Sequence, residues 1–126
     1  MTMKIKKKIL LIEDEEGIIL PLKIKLEKRG FELIIARDGE AGLAALRSEK
    51  PDLVLLDIIL PKMNGFEILE QIKKEDGAAK IPIVIISNLA REGEIERGLG
   101  LGARDFIVKA NLSLDNLVDK ISKFLI

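Results

Sequence analysis

The sequence of 126 residues contains no cysteine, no histidine, no tryptophan and no tyrosine. Without cysteine the chain has no disulfide framework and no thiolate chemistry. Without histidine it lacks the commonest general base and a major metal ligand. It also lacks an apolar run long enough to span a membrane and the apolar core of a signal peptide. We therefore expect a cytoplasmic protein with no membrane insertion and no cysteine- or histidine-based catalysis.

Neither sign of charge is in excess, because 21 lysines and arginines balance 21 aspartates and glutamates. This balance gives no indication of direct binding to nucleic acid or to a membrane surface. Hydrophobic residues make up 48% of the chain and charged residues 33%, a composition typical of globular rather than disordered proteins. We expect one folded domain over residues 1–126.

Short apolar runs alternate with longer, mostly amphipathic segments. The runs cover residues 9–12, 33–36, 53–56, 83–86 and 106–108, and such runs are typical of strands buried on both faces. The longer segments predict helices at 17–29, 39–49, 65–75 and 114–125, the last capped by Ser113, and a weaker helix at 89–101, whose apolar anchors would be Leu89, Ile95, Leu99 and Leu101. Five strands alternating with five helices predict a doubly wound α/β fold with a parallel sheet.

Four of the five predicted strands are followed by a polar side chain. These residues are Glu13 and Asp14, Asp57, Ser87, and Lys109. In an open α/β sheet, ligands bind outside the carboxyl ends of the strands, so we expect these side chains to meet there. Three carboxylates at one edge repel one another unless a cation lies between them. Hard oxygen ligands without histidine or cysteine favour Mg²⁺.

The same side chains are those that a phosphoryl group requires. Asp57 is the candidate nucleophile, because carboxylates form aspartyl phosphates. A metal would neutralise charge, while Lys109 and Ser87 would contact the remaining phosphoryl oxygens. Each residue alone has an ordinary structural explanation as a solvated loop, a surface lysine or a turn serine. Their joint occurrence at strand ends favours a site, and it explains a carboxylate within the apolar stretch LVLLDIIL, where an unpaired charge is costly.

The sequence resembles the receiver domain of two-component response regulators, in the manner of a single-domain chemotaxis regulator. The resemblance rests on KKILLIEDEE, PDLVLLDIILPKMNGFE, IPIVIISN and GARDFIVKA, and on the pattern formed by Asp57, Pro61, Asn64 and Gly65. It implies a flavodoxin-like, five-stranded parallel sheet with strand order 2-1-3-4-5. It also implies Mg²⁺ bound at Glu13, Asp14, Asp57 and Ile59.

The resemblance further implies how the domain works. A sensor histidine kinase or phosphotransfer protein would donate a phosphoryl group to Asp57. Ser87 and Phe106 would couple phosphorylation to a face made by helix 4, strand 5 and helix 5, where a downstream protein binds. The chain would be a self-phosphorylating acceptor with slow autodephosphorylation at most, and not a turnover enzyme. We expect a monomer or a weak phosphorylation-dependent dimer, without an output domain.

Four positions depart from the family pattern, and at one of them Ser87 stands where threonine is commoner, which keeps the hydroxyl. Glu13 stands where many relatives have aspartate, and Asn88 stands where a small residue is frequent, so that its bulk would shield the phosphoryl group from water. Ala110 stands where proline usually follows the lysine. Because relatives commonly hold that lysine–proline bond cis, we expect a cis peptide between Lys109 and Ala110.

Two alternatives stay open at this point. One is a receiver-like module that binds its partner without phosphorylation, although the usual sign of such a module, loss of the acidic pair, acceptor or lysine, is absent. The other is an engineered scaffold, which the missing residue types permit. A haloacid-dehalogenase-like phosphohydrolase would need a second aspartate at the position of Ile59. A flavodoxin would need a phosphate-binding loop where residues 13–16 are all acidic.

Overall fold

The computed structural model describes residues 6–75, 80–88, 91 and 93–125. Its strands are β1 (Lys8–Ile12), β2 (Glu32–Ala36), β3 (Leu53–Asp57), β4 (Ile83–Ser87) and β5 (Asp105–Val108). Its helices are α1 (Glu16–Lys28), α2 (Gly39–Glu49), α3 (Gly65–Lys74), α4 (Glu94–Gly100) and α5 (Leu114–Ser122), with short 3₁₀ turns at Lys109–Asn111 and Lys123–Leu125. All strand pairs are parallel, in the order β2-β1-β3-β4-β5. The predicted flavodoxin-like fold and strand order are confirmed.

The sheet separates two apolar layers. Because successive strand residues point to opposite faces, Leu10 and Ile12 pack with α2 and α3 on one side, while Ile9 and Leu11 pack with α1 and α5 on the other. All four side chains are fully buried. Strands covered on both faces need apolar side chains at every position, which is why they read as continuous apolar runs.

Side-chain caps determine where three helices begin. The carboxylate of Asp38 accepts from the Ala41 N–H at 2.8 Å, and the amide oxygen of Asn64 accepts from the Glu67 N–H at 3.0 Å. The hydroxyl of Ser113 accepts from the Asn116 N–H at 3.2 Å, as predicted. Each bond satisfies a backbone donor that a helix leaves free in its first turn.

Helix α4 is the element that the sequence predicts least well. The structure has seven helical residues, beginning at Glu94, whereas we predicted residues 89–101. The expectation that Ile95 and Leu99 anchor it to the core is wrong, because these side chains are 39% and 44% exposed. The buried residue of this helix is Gly98. Leu89, another expected anchor, lies outside the described residues.

Charged side chains are segregated between the two ends of the sheet. We call the carboxyl ends of the strands, with the loops and helix starts that surround them, the acidic end. Its outer carboxylates are Asp14, Glu15, Glu16, Asp38, Glu40, Glu67, Glu94 and Glu96. We call the opposite edge the basic end. Its exposed cations are Lys6, Lys7, Lys28, Lys50, Lys74, Lys80, Arg104 and Lys123.

Among the described residues, no helix combines the length and apolar character that crossing a membrane would require.

Candidate functional site

Asp57 is the last residue of β3 and lies at the acidic end. Its strand neighbours are apolar and fully buried, and Asp57 itself is only 6% exposed. One carboxylate oxygen, Oδ1, accepts from the Ile59 N–H at 3.3 Å. The carboxylate therefore sits at the mouth of the core, where a reactant can reach it while most of its surroundings are apolar.

Glu13 and Lys109 form a buried ion pair beside Asp57. Glu13 is fully buried and Lys109 is 8% exposed, with Lys109 Nζ 2.5 Å from Glu13 Oε1. The same ammonium group lies 4.0 Å from Asp57 Oδ2. The other oxygen of Glu13 accepts from the N–H groups of Asp14 at 3.1 Å and Glu15 at 3.4 Å. A buried charge is tolerable only when it is paired and hydrogen-bonded, and Glu13 meets both conditions.

The acidic side chains fit a hard divalent cation. Glu13, Asp14 and Asp57 each offer a carboxylate oxygen within 4.8 Å of the others. Such an all-oxygen set, with Asp14 facing solvent, suits Mg²⁺, which keeps several waters and binds few carboxylates. Ile59 has no ligand atom in its side chain, which is 62% exposed, so only its main-chain carbonyl could contribute.

Burial raises the pKa of the Asp57 carboxyl to about 7. Loss of solvent around the group is the largest cause, and the hydrogen bond and charge of the neighbouring Glu13 add to it. The positive charge of Lys109 and the N–H of Ile59 act in the opposite direction but do not compensate. Without a metal, Asp57 is thus protonated through much of the mildly acidic range. A cation at the site would favour the ionised form.

Ser87 and Phe106 lie on β4 and β5, the two strands that follow β3 in the sheet. Ser87 ends β4 and is 1% exposed, while Phe106 in β5 is 7% exposed. Phe106 packs beneath α4, because a Cβ placed on Gly98 would lie 3.3 Å from its ring. The strand that follows the acceptor strand therefore carries the serine, and the next strand contacts the short helix.

The loop after Asp57 is held by two residues whose physical role the sequence pattern did not reveal. Asn64 caps α3, and the Gly65 N–H donates to the carbonyl of Ile58 at 2.8 Å. A Cβ on Gly65 would lie 2.5 Å from the Asp57 carbonyl oxygen, closer than real Cβ atoms come. Only glycine therefore lets α3 start directly against the acceptor. The signal was present in the asparagine–glycine pair that follows Pro61.

The expected cis peptide between Lys109 and Ala110 is wrong, because the described residues contain no cis bond. Without proline the cis form costs ~2.5–4 kcal/mol. Lys109 reaches Glu13 from a trans peptide, with the chain turning through a 3₁₀ segment at Lys109–Asn111.

An open cleft of about 470 Å³ leads to the acceptor. It is lined by Asp57, which is buried, and by Asp14, Glu15, Ile59 and Asn88, which are exposed. The Asn88 side-chain amide donates to Glu15 at 3.5 Å. The predicted site residues are thus together at one edge of the sheet, and the cleft gives a small reactant access to Asp57.

Comparison with known proteins is in accord with this geometry. The family model of the response regulator receiver domain matches residues 9–122. The alkaline phosphatase synthesis transcriptional regulatory protein PhoP of Bacillus subtilis (strain 168) is 40% identical over 105 residues, which is 82% of this chain. Those residues are 42% of the length of that relative, so the chain spans less than half of it.

Solved structures give the same result. The phosphorylated cyanobacterial phytochrome response regulator RcpA is 35% identical, with a TM-score of 0.87 over 95% of this chain and 94% of that chain. The Mn²⁺-bound form of response regulator Rcp1 is 31% identical, with a TM-score of 0.82 over 94% of each chain.

Proposed function

We propose that this chain, which belongs to the response regulator receiver domain family, accepts a phosphoryl group on Asp57 in a Mg²⁺-dependent reaction. Receiver domains of two-component systems are generally phosphorylated and bind Mg²⁺. The observation that carries the proposal for this chain is the buried constellation of Glu13, Asp57 and Lys109, of which Asp57 lines an open cleft.

The chemistry follows from the positions of the side chains. A carboxylate oxygen of Asp57 attacks phosphorus, and the bond between phosphorus and the donor atom breaks, so that the donor leaves with the bonding electron pair. Lys109 Nζ lies 4.0 Å from Asp57 Oδ2 and would neutralise charge on the transferred group. The hydroxyl of Ser87 would donate to another phosphoryl oxygen. Bound Mg²⁺ would supply charge neutralisation at Glu13, Asp14 and Asp57.

We further propose that the donor is a sensor histidine kinase or a phosphotransfer protein and that a downstream protein reads the phosphorylated state. The face for that protein would comprise α4, β5 and α5. Exposure of Ile95 and Leu99 on α4 supports this assignment, as does the packing of Phe106 beneath the same helix. A phosphoryl group that displaces Ser87 and Phe106 would therefore act on α4 through the contact between Phe106 and Gly98.

Intact-mass spectrometry after incubation with acetyl phosphate and Mg²⁺ tests the proposal without a known partner. Wild type should gain one phosphoryl group, and it should gain none when the metal is chelated beforehand. Asp57→Asn should gain none. Asp52→Asn is the matched control, since Asp52 lies next to the opposite end of the same strand and accepts from the Lys8 N–H at 2.8 Å. It should label like wild type.

Two results would count against the proposal. Equal labelling of Asp57→Asn and wild type would show that the acceptor is elsewhere. Failure of the folded wild type to label with acetyl phosphate or with any tested kinase would favour a receiver-like module that binds its partner without phosphorylation.

A further inference from the structure

The segregation of charge is notable because the chain as a whole is neutral. The 21 basic and 21 acidic residues cancel, yet among the described residues cations are in surplus at the basic end and carboxylates at the acidic end. Part of this arrangement complements the helix dipoles, which favour acidic residues at helix starts and basic residues at helix ends. That explanation does not cover Lys6, Lys7, Lys80 and Arg104, which lie outside helices at the amino ends of strands.

Most carboxylates at the basic end are already paired, and Glu27 and Asp52, which are in none of the described salt bridges, are two against the eight cations that define this end. Lys8 pairs with Glu32 and Glu49 at 3.9 and 3.6 Å, and Arg47 pairs with Glu75 at 2.5 Å. The carboxylates of Asp119 and Asp105 are likewise taken, by Arg29 and Lys120. Within the described part of the chain, none of the eight cations that define the basic end forms a salt bridge.

The acidic end has the complementary surplus. Its carboxylates outnumber its exposed cations, which are Arg37, Lys62, Arg91 and Arg97, and Arg37 is already paired with Glu16 at 2.6 Å. The strands between the two ends are five residues long or shorter, or about 16 Å. At physiological salt this separation exceeds the Debye length of about 8 Å, so the two charged ends of one molecule do little to offset each other.

We propose that the basic end of one copy docks on the acidic end of a second copy, in a head-to-tail contact that covers the acceptor cleft. A neutral chain has no net-charge repulsion between copies, and a net charge near zero promotes association. The acidic end of a second copy of the chain therefore has the charge that complements the basic end. Because the contact joins two different surfaces, it does not close into a symmetric dimer.

The contact is electrostatic, so salt controls it. Sedimentation equilibrium of the metal-free chain at pH 7 should give a weight-average mass above the monomer's 14.0 kDa in about 0.01 M salt, where the Debye length is about 30 Å. In about 1 M salt, where the Debye length is about 3 Å, the mass should return to 14.0 kDa.

A pair of charge-swapped variants locates the contact. Lys80→Glu with Glu40→Lys keeps the net charge but lowers the surplus at both ends, and it should stay monomeric at low salt. Lys80→Glu with Glu27→Lys exchanges charges within the basic end. It should associate like wild type, since Lys80, Glu40 and Glu27 are all exposed and outside the salt bridges described. Circular dichroism confirms that both variants fold.

Three outcomes would overturn the proposal. The first is a monomer at low salt up to millimolar protein. The second is equal association of the two swapped variants. The third is a monomer that instead sediments with phosphatidylserine–phosphatidylcholine vesicles, which would assign the basic end to an anionic surface. None of these outcomes alters the labelling test for Asp57, so the two proposals fail independently.

Discussion

Replacing Asp57 by asparagine should stabilise the metal-free protein, although it removes the proposed acceptor. The native fold holds this carboxyl at 6% exposure and raises its pKa to about 7, whereas the unfolded chain has the ordinary value of 3.8. A shift of about three units corresponds to about 4 kcal/mol between the ionised and neutral forms. Asparagine has a similar shape and never ionises, so it avoids that cost.

The sign of the effect gives it a characteristic pH dependence. Between about pH 4 and pH 7 the native state keeps a proton on Asp57 that the unfolded state releases, so the contribution of this group to stability falls as the pH rises. That contribution is fully present below about pH 4 and lost above about pH 7. The advantage of Asp57→Asn should therefore be near zero at pH 4 and level off at up to about 4 kcal/mol above pH 7.

Chemical denaturation followed by circular dichroism measures this difference, since the chain has no tryptophan or tyrosine for fluorescence. Wild type, Asp57→Asn and the control Asp52→Asn should be compared in chelator from pH 4.5 to pH 8. Asp52→Asn should show no pH-dependent gain. Saturating Mg²⁺ should stabilise wild type and Asp52→Asn, which both keep Glu13, Asp14 and Asp57, by about 2.7 kcal/mol at a hundred times the dissociation constant, and it should stabilise Asp57→Asn less.

Burial of the Asp57 carboxylate would not be destabilising if Asp57→Asn were no more stable than wild type at pH 8 in chelator. Nor would its ionisation be the cause if the difference between the two proteins were the same at pH 5 and pH 8, because a pH-independent gain does not come from ionisation.

Four further predictions follow from contacts around the site. Gly65→Ala should destabilise the fold by about 1–3 kcal/mol, seen in thermal melts, and lose labelling, because its Cβ would collide with the Asp57 carbonyl. Lys109→Met should cost about 3 kcal/mol in chemical denaturation, because Glu13 would stay buried without its ion pair; a loss below about 1 kcal/mol, the value of an exposed pair, would contradict this. Asp14→Asn should weaken Mg²⁺ binding in calorimetry while changing metal-free stability by no more than about 1 kcal/mol. Amides of α4 should exchange faster than those of β3 and slow down with beryllofluoride; exchange as slow as in β3, or unaffected by beryllofluoride, would count against a switch role.

The fold could be predicted because the strands are covered on both faces. Each apolar run agrees with an observed strand to within one residue at either end, and the carboxyl ends of parallel strands must share an edge. That topological fact alone is sufficient to place Asp57, Ser87 and Lys109 near one another before any distance is known. Caps such as Ser113 were predictable because the capping bond is local in sequence.

Features that depend on three-dimensional distance were not predictable. Sequence patterns do not show that Gly98 lies against Ile85 and Phe106, so the larger Ile95 and Leu99 were taken as anchors of α4. Nor do they show that Lys109 lies closer to Glu13 than to Asp57. Glu13 has a longer side chain than Asp57, and only the structure shows that it is the carboxylate of Glu13 that lies against Lys109.

The position of Lys109 bears on how the site is kept ready. Its ammonium group is bound to Glu13 at 2.5 Å and lies 4.0 Å from Asp57, so its ion pair with Asp57 is the longer and weaker of the two. A closer ion pair with Lys109 would lower the pKa of Asp57 and remove much of the cost of ionising it, but it would also occupy an oxygen needed for attack or for the metal. The structure instead leaves Asp57 with a raised pKa beside carboxylates that can bind a cation. Binding of Mg²⁺ would thus lower the free-energy cost of ionising Asp57, because the cation favours the ionised carboxylate that phosphoryl transfer requires.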